Sequence, residues 1–382
     1  MKARDRSATL FATVMVVVVV AVVWTAWPAR NLLAAKDVGG AVGAEIASTQ
    51  AHHVASAQDH HATIEWPDSA FRAAIDAAPA GATASPRSPL YSMGCSLGLA
   101  QNLGSSVNSP LFEGGPTVST DERTMIFTAT RDPVTGQEDL FISKRARRQD
   151  PWGAAEPIGF PINEPVVDEF SPRLSHDGTA LYFGSNRAGG FGKADLYVST
   201  RESPNHPWNP PQNLGPLINT ANFEGFPTPS ADGNTLYFDR ATTAGSPDSD
   251  IWVTTRANQH EPWGVPQGLA EPVNTSDAEF APSISVDGLT LYFASARAGN
   301  IGFVDIWVST RRGLLDPWVQ PKNLGPNVNS AFSLTLGPFI TANGRSLYFM
   351  STRPGGLGQP GCRFLSCFDL YVAKRECHGD AH

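Results

Sequence analysis

The sequence predicts an all-β fold, a five-bladed β-propeller of four-stranded blades. One stretch, Glu169 to Arg201, recurs in five versions that align on the tripeptide Leu181-Tyr182-Phe183 at a step of 55 or 56 residues. A fixed period of that size indicates a solenoid, a propeller or a repeat array. The composition agrees, because 35 Gly and 31 Pro among 382 residues indicate many turns and little helix.

Each repeat predicts one blade. A turn at His176-Asp177-Gly178 separates the first two strands, and a Gly-rich loop separates the second from the third. Leu196 and Tyr197 point to opposite faces of the third strand, so bulky side chains occupy both faces, as in a blade stacked between two others. The predicted strands are Pro172 to Ser175, Ala180 to Ser185, Asp195 to Arg201 and Trp208 to Leu214.

An export element and a tether are expected before the propeller. Ala8 to Trp27 is apolar apart from three threonines and follows basic residues, which is typical of a signal peptide or a membrane anchor. The next stretch is rich in Ala, Gly, Ser, Pro and His, which is typical of a linker. The predicted divisions are 1–35 for the export segment, 36–94 for the tether, 95–377 for the propeller and 378–382 for the tail.

Two further positions recur. A Trp follows the first Asp of the third strand by thirteen residues in four repeats, and an Arg ends the third strand in all five. Because both recur at framework positions, we expect the Trp to pack between blades instead of stacking on sugars, and the Arg to be structural. They are Trp152, Trp208, Trp263 and Trp318, and Arg145, Arg201, Arg256, Arg311 and Arg375.

The whole pattern, S-x-D-G-x-x-L-Y-F-x-S-x-R followed by D-[LI]-[YW]-V-[ST]-x-R, P-W and N-L-G, resembles the TolB-type, WD-like β-propeller repeat over residues 97 to 376. The resemblance implies a propeller in a periplasmic or cell-surface setting. It implies no activity, because propellers of this kind serve very different tasks. We expect the propeller to stand without an attached catalytic or peptidoglycan-binding domain.

A ring of charge is expected on one face of the propeller. The loops that join a fourth strand to the next first strand emerge there, together with the loops between second and third strands, and we call it the channel-mouth face. Two alternatives stay open: a polar-ligand site, or an Arg–carboxylate brace repeated in every blade. The candidate residues are Glu113, Glu169, Glu224 and Glu279, with Thr335 in the fifth repeat, and Arg131, Arg187, Arg297 and Arg353, with Thr242 in the third.

Blade five departs from the pattern. Its loop between the second and third strands is eight residues longer than in the other blades and contains Cys362 and Cys367. We expect these cysteines to form a disulfide and the loop, Pro354 to Phe368, to be a binding element, since variation on a regular scaffold is where function tends to reside.

The ring is expected to close through the N-terminal end of the propeller. Leu97 to Gly104 matches the outer strand of the second repeat, so it supplies the missing fourth strand of blade five. This pairing places Cys95 beside Cys377 and predicts a second disulfide, which an exported protein allows.

The sequence predicts binding and not catalysis. His176, His206 and His260 lie in turns away from the channel mouth, no G-x-S-x-G elbow occurs, and no metal or cofactor is expected. The acidic body excludes a nucleic-acid partner. We expect an extracytoplasmic monomer that binds an envelope protein or a glycan and meets the membrane only through its N-terminal segment. The alternative left open is a glycoside hydrolase or lyase that uses Glu169, Glu224 or Glu279.

Overall fold

The predicted propeller is confirmed by a computed structural model, which describes residues 95–132, 134–241, 249–357 and 367–377. The described residues form five antiparallel sheets, one for each repeat. The predicted export segment, tether and C-terminal tail lie outside the described residues, as do Thr242, Cys362 and most of the inserted blade-five loop. The described residues contain no helix that is long and apolar enough to cross a bilayer.

Blades one to four each contain four consecutive strands. Blade one is β3 (Glu113–Val118), β4 (Thr124–Thr130), β5 (Glu138–Lys144) and β6 (Glu156–Pro157). Blade two is β7 (Glu169–Leu174), β8 (Ala180–Ser185), β9 (Asp195–Thr200) and β10 (Gln212–Asn213). Blade three is β11 (Phe223–Pro229), β12 (Thr235–Ala241), β13 (Ser249–Thr255) and β14 (Gln267–Gly268). Blade four is β15 (Glu279–Ile284), β16 (Thr290–Ser295), β17 (Asp305–Thr310) and β18 (Lys322–Asn323).

Blade five joins both ends of the propeller. Its strands are β19 (Thr335–Ile340), β20 (Ser346–Ser351) and β21 (Asp369–Cys377), followed on the outer edge by β1 (Cys95–Leu97) and β2 (Gln101–Asn102). Both short strands pair antiparallel with β21, and Cys95 lies opposite Cys377. The predicted closure and the Cys95–Cys377 disulfide are therefore confirmed.

Two predicted strand boundaries were wrong. The first strand of blade two begins at Glu169, three residues before Pro172, and it contains a bulge at Ser171, whose φ is 51°. The outer strand is only two residues long, because Pro210 and Pro211 cannot donate to the ladder. The bulge recurs in every blade, with positive φ at the same position: Gly115, Ser171, Phe226, Ala281 and Gly337.

Apolar side chains fill both faces of every blade, as the repeat predicts. In blade two, Leu181, Phe183 and Leu196 have no solvent exposure. Neighbouring blades share one core, since Tyr182 and Leu196 of blade two pack in one cluster with Leu236 and Phe238 of blade three. This burial is what holds the ring together.

The recurring Trp and Arg residues meet on the face opposite the channel mouth. The four guanidinium carbons lie 3.9 to 4.4 Å from the Trp ring centroids. The same arginines donate from Nε to a carbonyl of the turn between the first two strands, as Arg201 does to Gly178 at 2.9 Å. Trp152 also packs edge-on against Tyr348 of blade five. These contacts are structural, as predicted.

We predict that Cys95→Ser lowers the melting temperature clearly. The disulfide joins residues 282 positions apart at the seam of the ring. Constraining a loop of that length stabilises a fold by about 5 kcal/mol at most in the chain-entropy model. Thermal unfolding of the oxidised wild type and the variant checks the prediction. A melting temperature unmoved by the substitution would show that the seam does not limit stability.

Candidate functional site

The four predicted glutamates are all buried on the channel-mouth face, and each is paired with an arginine of its own blade. Arg131 Nη1 lies 2.6 Å from Glu113 Oε1, and Arg187 Nη2 lies 3.0 Å from Glu169 Oε1. Arg297 Nη2 lies 3.0 Å from Glu279 Oε1. We call each pair a brace. The ligand-binding role of these residues stays a prediction, and their geometry is that of the architectural alternative.

Blade three keeps the brace with an arginine at a different position. Arg240 stands in the position of Ser185 of blade two, two residues before Thr242, and its Nε donates to Glu224 Oε1 at 2.8 Å. Positions two apart on a strand share a face, so the guanidinium still reaches the carboxylate. Sequence reasoning missed Arg240 because it compared only equivalent positions.

Each brace also connects its blade to the preceding one. Arg187 Nη2 donates to the carbonyl of Ile162 at 2.7 Å, in the loop between blades one and two. The next residue, Asn163, exchanges two hydrogen bonds with the backbone of Leu140 in blade one. The loop is therefore fixed from both sides, by the third strand of one blade and the arginine of the next.

This Asn clamp recurs at all five junctions, with two hydrogen bonds to a third-strand residue each time. The sequence signal was available and was missed: an apolar residue followed by Asn, repeated at the period of the blades. The dipeptides are Val107-Asn108, Ile162-Asn163, Ile218-Asn219, Val273-Asn274 and Val328-Asn329.

Burial weakens the brace carboxyls as acids. It raises the pKa of Glu113 to about 7 and that of Glu169 to about 8, although the hydrogen bonds and the arginine charge act in the opposite direction. Burial also raises the pKa of Glu224 and Glu279. Such groups have no contact with solvent, so a substrate has no direct route to them in this conformation.

The aspartates that begin the third strands hold the neighbouring loop. Asp195 accepts hydrogen bonds from the backbone N–H groups of Phe191 at 2.7 Å and Gly192 at 3.0 Å. Asn213 of the outer strand donates to the same carboxylate at 2.8 Å. Asp305 has the same three kinds of partner in blade four. These carboxylates therefore shape the Gly-rich loops.

Arg173 spans the central channel. Its Nη2 donates to the carbonyls of Pro282 and Pro338, on blades four and five, and its guanidinium lies over the ring of Phe339 at 5.0 Å. Burial lowers the pKa of Arg173 to about 9, so the side chain stays charged at neutral pH. Sequence reasoning missed this residue because its partners lie across the ring.

A cavity of about 470 Å³ opens on the channel-mouth face at the seam between blades five and one. Its lining includes Ser105, Ser109, Pro110, Arg131 and Leu357, and Leu357 belongs to the lengthened blade-five loop. The Arg131 side chain is 29% exposed, whereas those of Arg187, Arg240 and Arg297 are nearly buried. The seam cavity thus has a mixed polar and apolar lining, and Arg131 is the brace arginine that it exposes.

The histidines lie where the sequence predicted. His176 follows β7 in the turn to β8, and His206 lies in the turn after β9, 3.5 Å from the Glu202 carboxylate. Both turns are on the face opposite the channel mouth. In the part of the chain that the structure describes, no three His, Cys, Asp or Glu residues come together as a metal site.

Each of the five sequence repeats forms one antiparallel sheet, which defines the architecture. The described residues fold as a five-bladed β-propeller. Neither a family model nor a curated protein matches the sequence.

Solved structures of similar fold carry several names. A putative TolB from Agrobacterium tumefaciens is 16% identical with a TM-score of 0.43, covering 74% of this chain and 92% of its own. An α-L-arabinofuranosidase from Podospora anserina is 11% identical with a TM-score of 0.49, covering 73% and 97%. An endo-arabinase from Bacteroides thetaiotaomicron is 16% identical with a TM-score of 0.47, covering 72% and 98%. Likeness at this level transfers no activity to this chain.

We predict that the free energy of unfolding falls as pH rises from 5 to beyond 8. The pKa of Glu169 is raised from 4.5 to about 8, so the folded state binds this proton more tightly than the unfolded state does. The resulting stability is fully present below pH 4.5 and is lost as pH rises through about 8. Glu169→Gln should therefore make the slope shallower, with the remaining brace glutamates supplying the rest.

Glu164→Gln is the matched control for this experiment. Glu164 contacts the same arginine at 3.2 Å but is 39% exposed. The Glu164→Gln variant should change the free energy of unfolding little, because exposed ion pairs contribute little to stability. Urea unfolding at a series of pH values gives the slopes, and an unchanged slope in Glu169→Gln would contradict the assignment.

Proposed function

We propose that this protein is a non-catalytic binding propeller that recognises a protein or glycan partner at its channel-mouth face. It acts as a monomer outside the cytoplasm, with a component of the cell envelope as its partner. A disulfide at the propeller seam supports that compartment, because such bonds persist in oxidising environments. The predicted export element supports it as well.

Two exposed apolar side chains carry the proposal. Val166 and Phe332 lie at equivalent positions in the loops that enter blades two and five, three residues before Glu169 and Thr335. They are 88% and 76% exposed, and both have left-handed backbone, with φ of 59° and 54°. A β-branched or bulky residue in that conformation is strained by about 1–3 kcal/mol.

Folding gains little from these two side chains, because neither is buried. Backbone strain that packing does not repay clusters at functional sites. The seam cavity on the same face supplies a concave neighbour. Together these features favour a partner that covers the channel mouth.

A glycoside hydrolase or lyase is the rival function, and the proposed residues do not favour it. Such an enzyme needs two carboxyl groups that flank a glycosidic bond of the substrate. Glu169, Glu224 and Glu279 have no solvent exposure, and each carboxylate forms an ion pair with an arginine. The features of this face that do not recur from blade to blade are Val166, Phe332 and the seam cavity, and none of them is a carboxylate.

We predict that the double variant Val166→Asn/Phe332→Asn loses partner binding while its melting temperature is unchanged or slightly higher. Asn tolerates left-handed backbone, so the fold is relieved of strain while the apolar contacts disappear. Immobilised protein exposed to the native envelope fraction and to a glycan array gives the readout.

Leu315→Asn is the control on the opposite face, since Leu315 is 74% exposed in the turn after β17. This variant should retain the wild-type set of bound partners. If the double variant retains the same set, or if Leu315→Asn loses it, the partner does not bind at the channel mouth.

A further inference from the structure

Blade five contains a brace arginine without a carboxylate. Arg353 Nε donates to Ser351 Oγ at 3.1 Å, as Arg187 Nε donates to Ser185 Oγ at 3.1 Å. Its Nη2 donates to the carbonyl of Val328, the counterpart of Ile162 in blade two. Thr335 replaces the glutamate, and among the described residues no carboxylate forms an ion pair with Arg353. The guanidinium thus has the pose of a brace without its counter-charge.

Blade five also keeps the backbone N–H that donates to the brace glutamate in other blades. In three blades the glutamate accepts a backbone N–H from the residue four positions earlier: Ser109 at 3.0 Å, Thr220 at 3.0 Å and Thr275 at 2.6 Å. Each of these residues directly follows the clamp Asn, as Glu164 does in blade two, where its backbone N–H serves Glu169. Ser330 follows the clamp residue Asn329 in blade five, and its N–H has no acceptor among the described residues. Blade five therefore keeps both donors that serve the carboxylate elsewhere.

Among the described residues, no carboxylate pairs with Arg353 in place of the missing glutamate. Thr335 Oγ1 and Ser351 Oγ are 3.1 Å apart and hydrogen-bond to each other. The inserted residues 358–366 include no Asp or Glu in their sequence. Arg353 is half-buried and lies 4.7 Å from the centroid of the Tyr371 ring, which supports the guanidinium from one side. Burial lowers the pKa of Arg353, consistent with a cation that lacks a partner.

We propose that blade five carries a carboxylate-binding site, in which a ligand carboxylate takes the place that Glu113, Glu169, Glu224 and Glu279 fill in the other blades. Arg353 supplies a charge-assisted hydrogen bond and Ser330 a backbone N–H. The site lies on the channel-mouth face beside Phe332, so a ligand with an apolar group next to its carboxylate is favoured. In this proposal, the ligand carboxylate adopts the geometry of the four glutamate–arginine pairs.

Acetate is the probe, titrated at constant ionic strength against chloride. The Nε–Hε NMR signal of Arg353, assigned by its loss in Arg353→Lys, should shift saturably at millimolar acetate. Acetamide, which has the same size without the charge, should leave the signal in place. Thr335→Glu supplies an internal carboxylate, so it should abolish the response.

Glu279→Thr is the converse variant, because it copies the blade-five arrangement into blade four. It should create a second acetate response at the Arg297 signal. If that variant does not fold, Thr335→Glu decides alone. A wild type without a saturable shift, an equal response to acetamide, or an unchanged response in Thr335→Glu would each overturn the site. None of these results depends on Val166 or Phe332, so the proposed function stands or fails separately.

Discussion

The structure depends on a buried carboxylate–guanidinium pair that joins a blade to its neighbour in four of the five blades. In blade two, Arg187 binds Glu169 of its own blade and the carbonyl of Ile162, and the adjacent Asn163 clamps the third strand of blade one. A buried charge that loses its partner destabilises a fold strongly, so the positions cannot vary independently. Blade three shows the same constraint. Thr242 stands at the usual arginine position, and Arg240, two residues earlier, pairs with Glu224 instead.

This constraint separates framework from function. Residues that recur at framework positions hold loops and strands, as the brace glutamates of four blades and Asp195 do. Their recurrence needs no ligand to explain it. The residues that break the pattern lie together on the channel-mouth face: Val166 and Phe332 with strained, exposed side chains, and Arg353 with an incomplete brace. Arg173 crosses the channel to reach carbonyls of blades four and five.

The blades, their number and their closure could be predicted from the sequence, because turn chemistry and strand alternation are local and repeat at a fixed period. The pairing of Cys95 with Cys377 followed from aligning the N-terminal strand with the outer strands of other blades. The bulge at Ser171 was not predictable, since positive φ at serine has no local signal. Arg173 and Arg240 were missed because their roles depend on partners across the ring or on a shift along one strand face. The burial of the brace glutamates, which favours the structural interpretation over a ligand site, likewise arises only when the blades stack and could not be predicted from local sequence.

Turnover of polysaccharides is the measurement that tests the central claim most directly, since that claim assigns the channel-mouth glutamates to holding the blades together. Purified propeller is incubated with a broad polysaccharide panel, and released sugars are measured for the wild type and Glu169→Gln. We expect no release by either protein. Release by the wild type that Glu169→Gln abolishes at an unchanged melting temperature would contradict the account, because it would make a brace glutamate a catalytic group.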